Sequence, residues 1–293
     1  MKQRTIKKAV EVVGIGLHKG VPVKLRLEPL EEDMGIVFYR SDKAVSIPMT
    51  KEHVVDTTMA TVLGKDGVVI STIEHLVSAI SAFGIDNLRV ILDNDEIPIM
   101  DGSAVSFALL FKEIGIQTQS KNKRILKIKK EVKIEQDGKF AKVTPSNSTS
   151  FSFKINFPHP AIGEQFYKFD FSTKNYIEEI SKARTFGFLK EIQYLRSKGL
   201  ALGGSLENAI VLDDKKILNE NLRYKDEFVR HKILDAIGDM RLLGYNFIGD
   251  YEAVASGHHL NHLLTKAIFA DASNYELVEI EENVKEFSLA AAY

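Results

Sequence analysis

Apolar and polar residues alternate along much of the first seventy positions. In VPVKLRLEP, Val21, Val23, Leu25 and Leu27 keep a period of two, which predicts a half-buried strand. GIVFYR, ATVLG and GVVIS continue the pattern, broken by glycines and charges. Near Thr72 the period lengthens: Ile73, Leu76, Val77, Ile80 and Phe83 form the stripe of a helix over 72–83. Ser71 and Glu74 have the S-x-x-E spacing of a capping box, and Gly84 stands where the helix should stop. The strand NLRVILD, the turn NDEIPIMDGS and a second helix over 104–114 follow, with Asp101 or Ser103 available as cap.

QTQSKNKR, residues 117–124, has no apolar anchor and reads as a domain boundary. RILKIKKEVKIEQ, FSFKINF and QFYKFDFS then resume the alternation, and a short helix is expected over 176–183. The stretch 186–212 is unusually apolar, with a helix over 189–198 and a turn at Gly203-Gly204; it suits core packing or a channel for an apolar ligand equally. Strands followed by helices, twice over, predict an α+β fold of two domains, 1–120 and 121–293, without a detectable sequence repeat.

The strongest helical pattern is YKDEFVRHKILDAIGDMRLLGY, residues 224–245. Val229, Ile233, Ala236, Ile237, Met240 and Leu243 gather on one side, and His231, Asp235 and Asp239 stack four apart on the other. A row of this kind is most often a solvated face. A neutral imidazole and a carboxylate one turn apart can also share a metal ion. A further helix is expected to begin near SGHHLNHLL, with His258 and His262 one turn apart.

Composition narrows these choices. The 293 residues carry a net charge of −1, which gives no general attraction for nucleic acid or membranes. The chain has no cysteine, so only His, Asp and Glu remain as metal ligands, and a reducing cytoplasm suits it. No apolar run reaches the length of a membrane span, and the basic N-terminus does not read as a signal peptide. Half of the eight histidines lie between 231 and 262. A catalytic zinc takes three protein ligands and one open position. His231 and Asp235 supply two, while His75, His258, His259 and His262 all compete for the third place. His18, between two strands, reads as a turn or surface residue, and His159, between two prolines, as structural.

The segments GIGLHKG, ISTIEHLVSAISAFGIDN, EIPIMDGSAVSF, KARTFGF, GLALGGSLENAIV, DEFVRHKILDAIGD and SGHHLN run through nearly the whole chain. In these segments, and in their order, the chain resembles the UDP-3-O-acyl-N-acetylglucosamine deacetylases, zinc amidases of the lipid A pathway. The resemblance implies His75, His231 and Asp235 as zinc ligands, Glu74 as general base, and His258 as acid or electrostatic partner held by Asp239. It further implies Thr185 as an oxyanion donor, Phe186 against the sugar, and Lys232 near the nucleotide phosphates. The apolar insert, with Phe188, Ile192 and Leu200, corresponds to the passage for the 3-O-acyl chain. Two departures stand out: Thr61-Val62 replaces a cysteine common in the family, and Ala255 replaces a basic residue.

The implied fold places helices between two sheets. The implied activity is hydrolysis of the N-acetyl group of UDP-3-O-acyl-N-acetylglucosamine in the cytoplasm, by a monomer. Zn2+ is the implied cofactor, and Fe2+ suits the same ligands. The alternatives are a zinc amidohydrolase for another acylated substrate and a non-catalytic nucleotide-sugar or lipid-binding protein.

Overall fold

The computed structural model describes residues 1–279. Five strands of the first half form one mixed sheet, in the order Val10–Ile15, Pro22–Pro29, Leu88–Leu92, Ile36–Arg40 and Val45–Pro48. The period of two in the sequence is the burial pattern of this sheet: Val23, Leu25 and Leu27 point into the core, while Lys24 and Arg26 face out. Val21, expected on the same stripe, precedes the strand and is exposed. A smaller sheet of Val54–Asp56, Val62–Lys65 and Val68–Ile70 precedes the first long helix.

The second half builds a seven-stranded mixed sheet. Its central strand, Phe247–Val254, pairs parallel with Thr149–Phe157 and antiparallel with Lys139–Thr144. The polar stretch between the halves is ordered by pairing. Ile116–Asn122 lies antiparallel to Lys2–Ile6, and Arg124–Ile128 then enters the second sheet. Lys123, between these strands, is buried; its Nζ donates to the Gly84 carbonyl and pairs with Asp86. Burial pushes its ammonium down to about 8, against the pull of Asp86.

Two helices lie between the sheets, as expected of an α+β fold with its helical layer inside. Every residue of the helix Glu74–Ala82 is buried, and so is all of Glu227–Met240 except Arg230 and Lys232. A helix buried all round needs neighbours on every side, which an internal layer supplies. The two helices meet at Gly238: a Cβ there would sit 2.3 Å from the carbonyl oxygen of Glu74. The row His231, Asp235, Asp239 is therefore enclosed rather than solvated.

The first helix differs from its sequence signature. It begins at Glu74, and no side chain caps it. The Ser71 hydroxyl donates to the carbonyl of Asp95, and Thr72 adopts a left-handed backbone with φ of 58°. A β-branched residue is rarely found there. Its hydroxyl is held by the Glu96 carboxylate at 3.2 Å. The capping box does not close, and the Glu74 carboxylate is left for other partners. The helix expected over 176–183 is a short turn, Thr173–Asn175, running into a wide π turn, Tyr176–Ile180. The helix of the apolar insert, Leu189–Ser197, has no fully buried residue. Among the described residues, no helix is long and apolar enough to cross a membrane.

Candidate metal centre

His231 and Asp235 lie one turn apart on the long helix, and the first turn of Glu74–Ala82 sets His75 against them. The His231 Nδ1 donates to the carbonyl of Ala183 at 3.0 Å, which leaves Nε2 as the atom turned to Asp235. The Nε2 atoms of His231 and His75 lie 3.3 Å and 3.7 Å from Asp235 Oδ1. One ligand atom from each of the three residues falls within 4.8 Å of the others.

The two oxygens of Asp235 are treated differently. Oδ2 accepts from the Lys232 ammonium at 2.8 Å, whereas Oδ1 is buried with no hydrogen-bond partner. A buried carboxylate oxygen without a donor is costly, and a cation among the three residues would satisfy it. Burial pushes His75 down to about 3, with His231 adding to the effect, and burial lowers His231 as well. Both imidazoles are thus neutral, the form that ligates. Burial would raise Asp235, but His231 and Lys232 outweigh it and hold the carboxyl below its usual range. The residues present fit a divalent metal ion.

A second group lies beside this one. The Glu74 Oε2 accepts from the main-chain N–H of Thr61 at 3.2 Å, and Oε1 is 3.8 Å from His258 Nε2. Burial raises Glu74 to about 7; Asp235 and Asp239 reinforce the shift and His258 opposes it. His258 starts the helix His258–Ala270 and donates from Nδ1 to Asp239 Oδ2 at 2.9 Å. Burial alone would lower His258, but Asp239 and Glu74 overcome it and raise the imidazole to about 10. A carboxylate poised near neutrality beside a cationic histidine is an acid–base pair.

An apolar cavity of about 400 Å³ opens next to these groups. Thr185, Phe186, Ile192 and Leu206 of the second half line it, together with His18 and Met59 of the first. Phe186 joins it to the metal group, its ring lying edge-on to His231 at 6.3 Å. The insert hangs on the first half: Leu202 and Gly203 donate their N–H groups to the carbonyls of His18 and Leu17. Gly203 is required there, since a Cβ would lie 2.2 Å from the Gly16 carbonyl oxygen.

Several candidate residues lie outside the cavity wall or the metal group. Phe188 does not line the cavity, because its ring packs on Phe157 and His159. Leu200 is exposed and likewise off the wall, which is drawn from Phe186, Ile192, Leu195 and Leu206 instead. Lys232, besides facing the ring of Phe186 at 5.8 Å, is bound to Asp235. His262 and His259 lie outside the metal group. The sequence offered no sign that His18 would line the cavity. It gave no sign either that Thr61 and Asn261 would bind Asp239, which they do at 2.6 Å and 2.8 Å.

The family described as LpxC, UDP-3-O-acyl N-acetylglycosamine deacetylase, matches residues 3–270. The chain belongs to this family. A relative from Nautilia profundicola is 70% identical over 282 residues, 96% of each chain. One from Aliarcobacter butzleri is 63% identical over 291 residues, covering 99% of this chain and 97% of the relative. One from Helicobacter hepaticus is 61% identical over 294 residues, covering 100% and 98%. Each bears the name UDP-3-O-acyl-N-acetylglucosamine deacetylase. The LpxC family is one of metalloenzymes, in keeping with the unpartnered oxygen of Asp235 and the two neutral imidazoles beside it.

Proposed function

We infer that the protein is a metal-dependent deacetylase that hydrolyses the N-acetyl group of UDP-3-O-acyl-N-acetylglucosamine. The products are acetate and the free amine, and the step commits material to lipid A. The observation that carries this reading is the adjacency of two buried groups: His75, His231 and Asp235, ready for a cation, and Glu74 with His258 and Asp239, ready to move protons.

His75, His231 and Asp235 would hold the metal, with zinc the preferred ion and iron suited to the same ligands. When bound, the ion supplies Lewis-acid polarisation of the acetamide carbonyl and makes water acidic enough to attack near neutral pH. Glu74 takes the proton from the attacking water. The Glu74–His258 pair returns a proton to nitrogen as the C–N bond breaks, and the cationic His258 stabilises the negative charge that develops. Asp239 holds the imidazole in place from behind. The Thr185 hydroxyl is a further donor for the oxyanion. Phe186 packs on the sugar, and the cavity walled by Phe186 and Ile192 takes the acyl chain. Lys232 orients Asp235 and approaches the nucleotide phosphates.

We place the enzyme in the cytoplasm as a monomer, with the division between its domains near residue 120. The test is acetate release from UDP-3-O-acyl-N-acetylglucosamine and from the same sugar nucleotide lacking its acyl chain. Each buried methylene contributes about 0.8 kcal/mol, so losing the chain should lower kcat/KM by well over tenfold. Equal turnover of the two would assign the cavity no part in substrate choice and favour an amidohydrolase for another substrate. Acetate release from neither would leave a binding protein.

A further inference from the structure

Thr61 touches both carboxylates of the acid–base group. It is buried, and it immediately precedes the strand Val62–Lys65 of the small three-stranded sheet. Its hydroxyl donates to Asp239 Oδ1 at 2.6 Å, while its main-chain N–H donates to Glu74 Oε2 at 3.2 Å. The other oxygen of Asp239 takes two donors, His258 Nδ1 at 2.9 Å and Asn261 Nδ2 at 2.8 Å. Asn261 is fixed in turn, because its Oδ1 accepts from Tyr251 at 2.6 Å and Ser256 at 3.0 Å.

We propose that Thr61 is a positioning residue for the deacetylation, tying Glu74 and Asp239 into one rigid unit so that His258 faces Glu74 in a single orientation. A carboxylate is an acceptor only, and a short O–H···O⁻ bond in a buried setting is among the stronger orienting contacts. Without the hydroxyl, Oδ1 of Asp239 loses its donor and the carboxylate is free to turn about its terminal bond, sharing His258 and Asn261 between both oxygens. The imidazole then follows the carboxylate, and its distance to Glu74, 3.8 Å in the folded protein, is no longer held. The metal group has no direct bond to Thr61, so the effect falls on the chemical step rather than on metal binding. Groups that orient a catalytic shell from behind commonly contribute about 10–100-fold.

This inference rests on the deacetylase reading, which wild-type turnover in the same assay tests separately. The experiment compares wild type, Thr61→Val and Thr61→Ser by kcat, KM and metal content. It adds the Nδ1–H proton resonance of His258, followed by NMR in metal-free protein. Valine keeps the shape and removes the donor; serine keeps the donor. The expected result is a Thr61→Val enzyme with kcat down by about 10–100-fold, KM within about twofold and full metal content. Thr61→Ser should recover to within about threefold of wild type, by the same orienting effect. The His258 resonance should move in the valine variant and stay in the serine variant. A valine variant as fast as wild type, a serine variant as slow as the valine one, or a change in KM alone would overturn the proposal. Should Thr61→Val fail to fold, Thr61→Ala against Thr61→Ser reads the same donor, with equal kcat values as the contrary result.

Discussion

At Asp235 one carboxylate oxygen is held by Lys232 and the other has no donor, although both are buried. That asymmetry suits the ligand role proposed for Asp235, and no pattern of letters contains it. The spacing of His231 and Asp235 was legible because a helix puts positions four apart on one face. Asp239 has the same spacing from Asp235, yet it serves His258, Asn261 and Thr61 instead. The difference lies in which neighbours pack against each turn, so spacing alone could not sort ligand from support. Glu74→Gln removes a base while keeping the side chain's size; kcat should fall by about 10²–10⁴-fold with metal content unchanged, read by acetate release and elemental analysis. A variant as active as wild type would leave Glu74 no part in proton transfer.

His258 adds a test in pH. Its folded-state value is raised to about 10 from the ordinary 6.5, chiefly by Asp239 and Glu74 against burial. A group raised in the folded state lends its full stabilisation below its unfolded value and loses it as pH climbs through the folded one. In metal-free protein, His258→Gln should therefore lower the melting temperature most near pH 6 and progressively less toward pH 10. Thermal melts across that range measure it, and a deficit that grew with pH would contradict the charged state of His258.

At the scale of elements, the sequence read well wherever a period met a single environment. The strand Pro22–Pro29 and the helix Glu227–Met240 both fall within the stretches their periods marked, with the ends trimmed. It read poorly where tertiary partners displaced a local signal. Ser71 and Glu74 have capping-box spacing, but Asp95 claims the serine and Thr61 the carboxylate. Tertiary hydrogen bonds replaced the local one, and the site gained a carboxylate in exchange. Phe188 lies off the cavity wall for a similar reason, because Phe157 and His159 give its ring an alternative to the cavity. The two central helices depend on Gly238, where a methyl group would strike the Glu74 carbonyl at 2.3 Å. Gly238→Ala should cost about 1–3 kcal/mol through overpacking. It should also weaken metal binding, since the clash separates Glu74 and His75 from His231 and Asp235. Melting and metal titration together check this, and a variant with unchanged metal affinity would show that the ligands do not depend on that contact.

Across the whole molecule, neither half contains a complete site. The first half brings Glu74 and His75 on one helix and Thr61 from just before the strand Val62–Lys65 of the small sheet; the second brings His231, Asp235, Asp239 and His258 on two. The cavity is shared in the same way, with His18 and Met59 facing the insert. The α+β plan could be read from strands followed by helices, twice; the internal helix layer came only from the family resemblance. The proposed third ligand, His75, could not be read, because it reaches His231 and Asp235 only through the meeting of the two halves, and family resemblance alone pointed to it. The most direct measurement of the central claim is metal content and acetate release on the same purified protein, before chelation, after chelation and after adding back one equivalent of Zn2+. One bound ion per chain is expected, with turnover lost on its removal and restored by a single equivalent. The same turnover in metal-free protein would contradict the account.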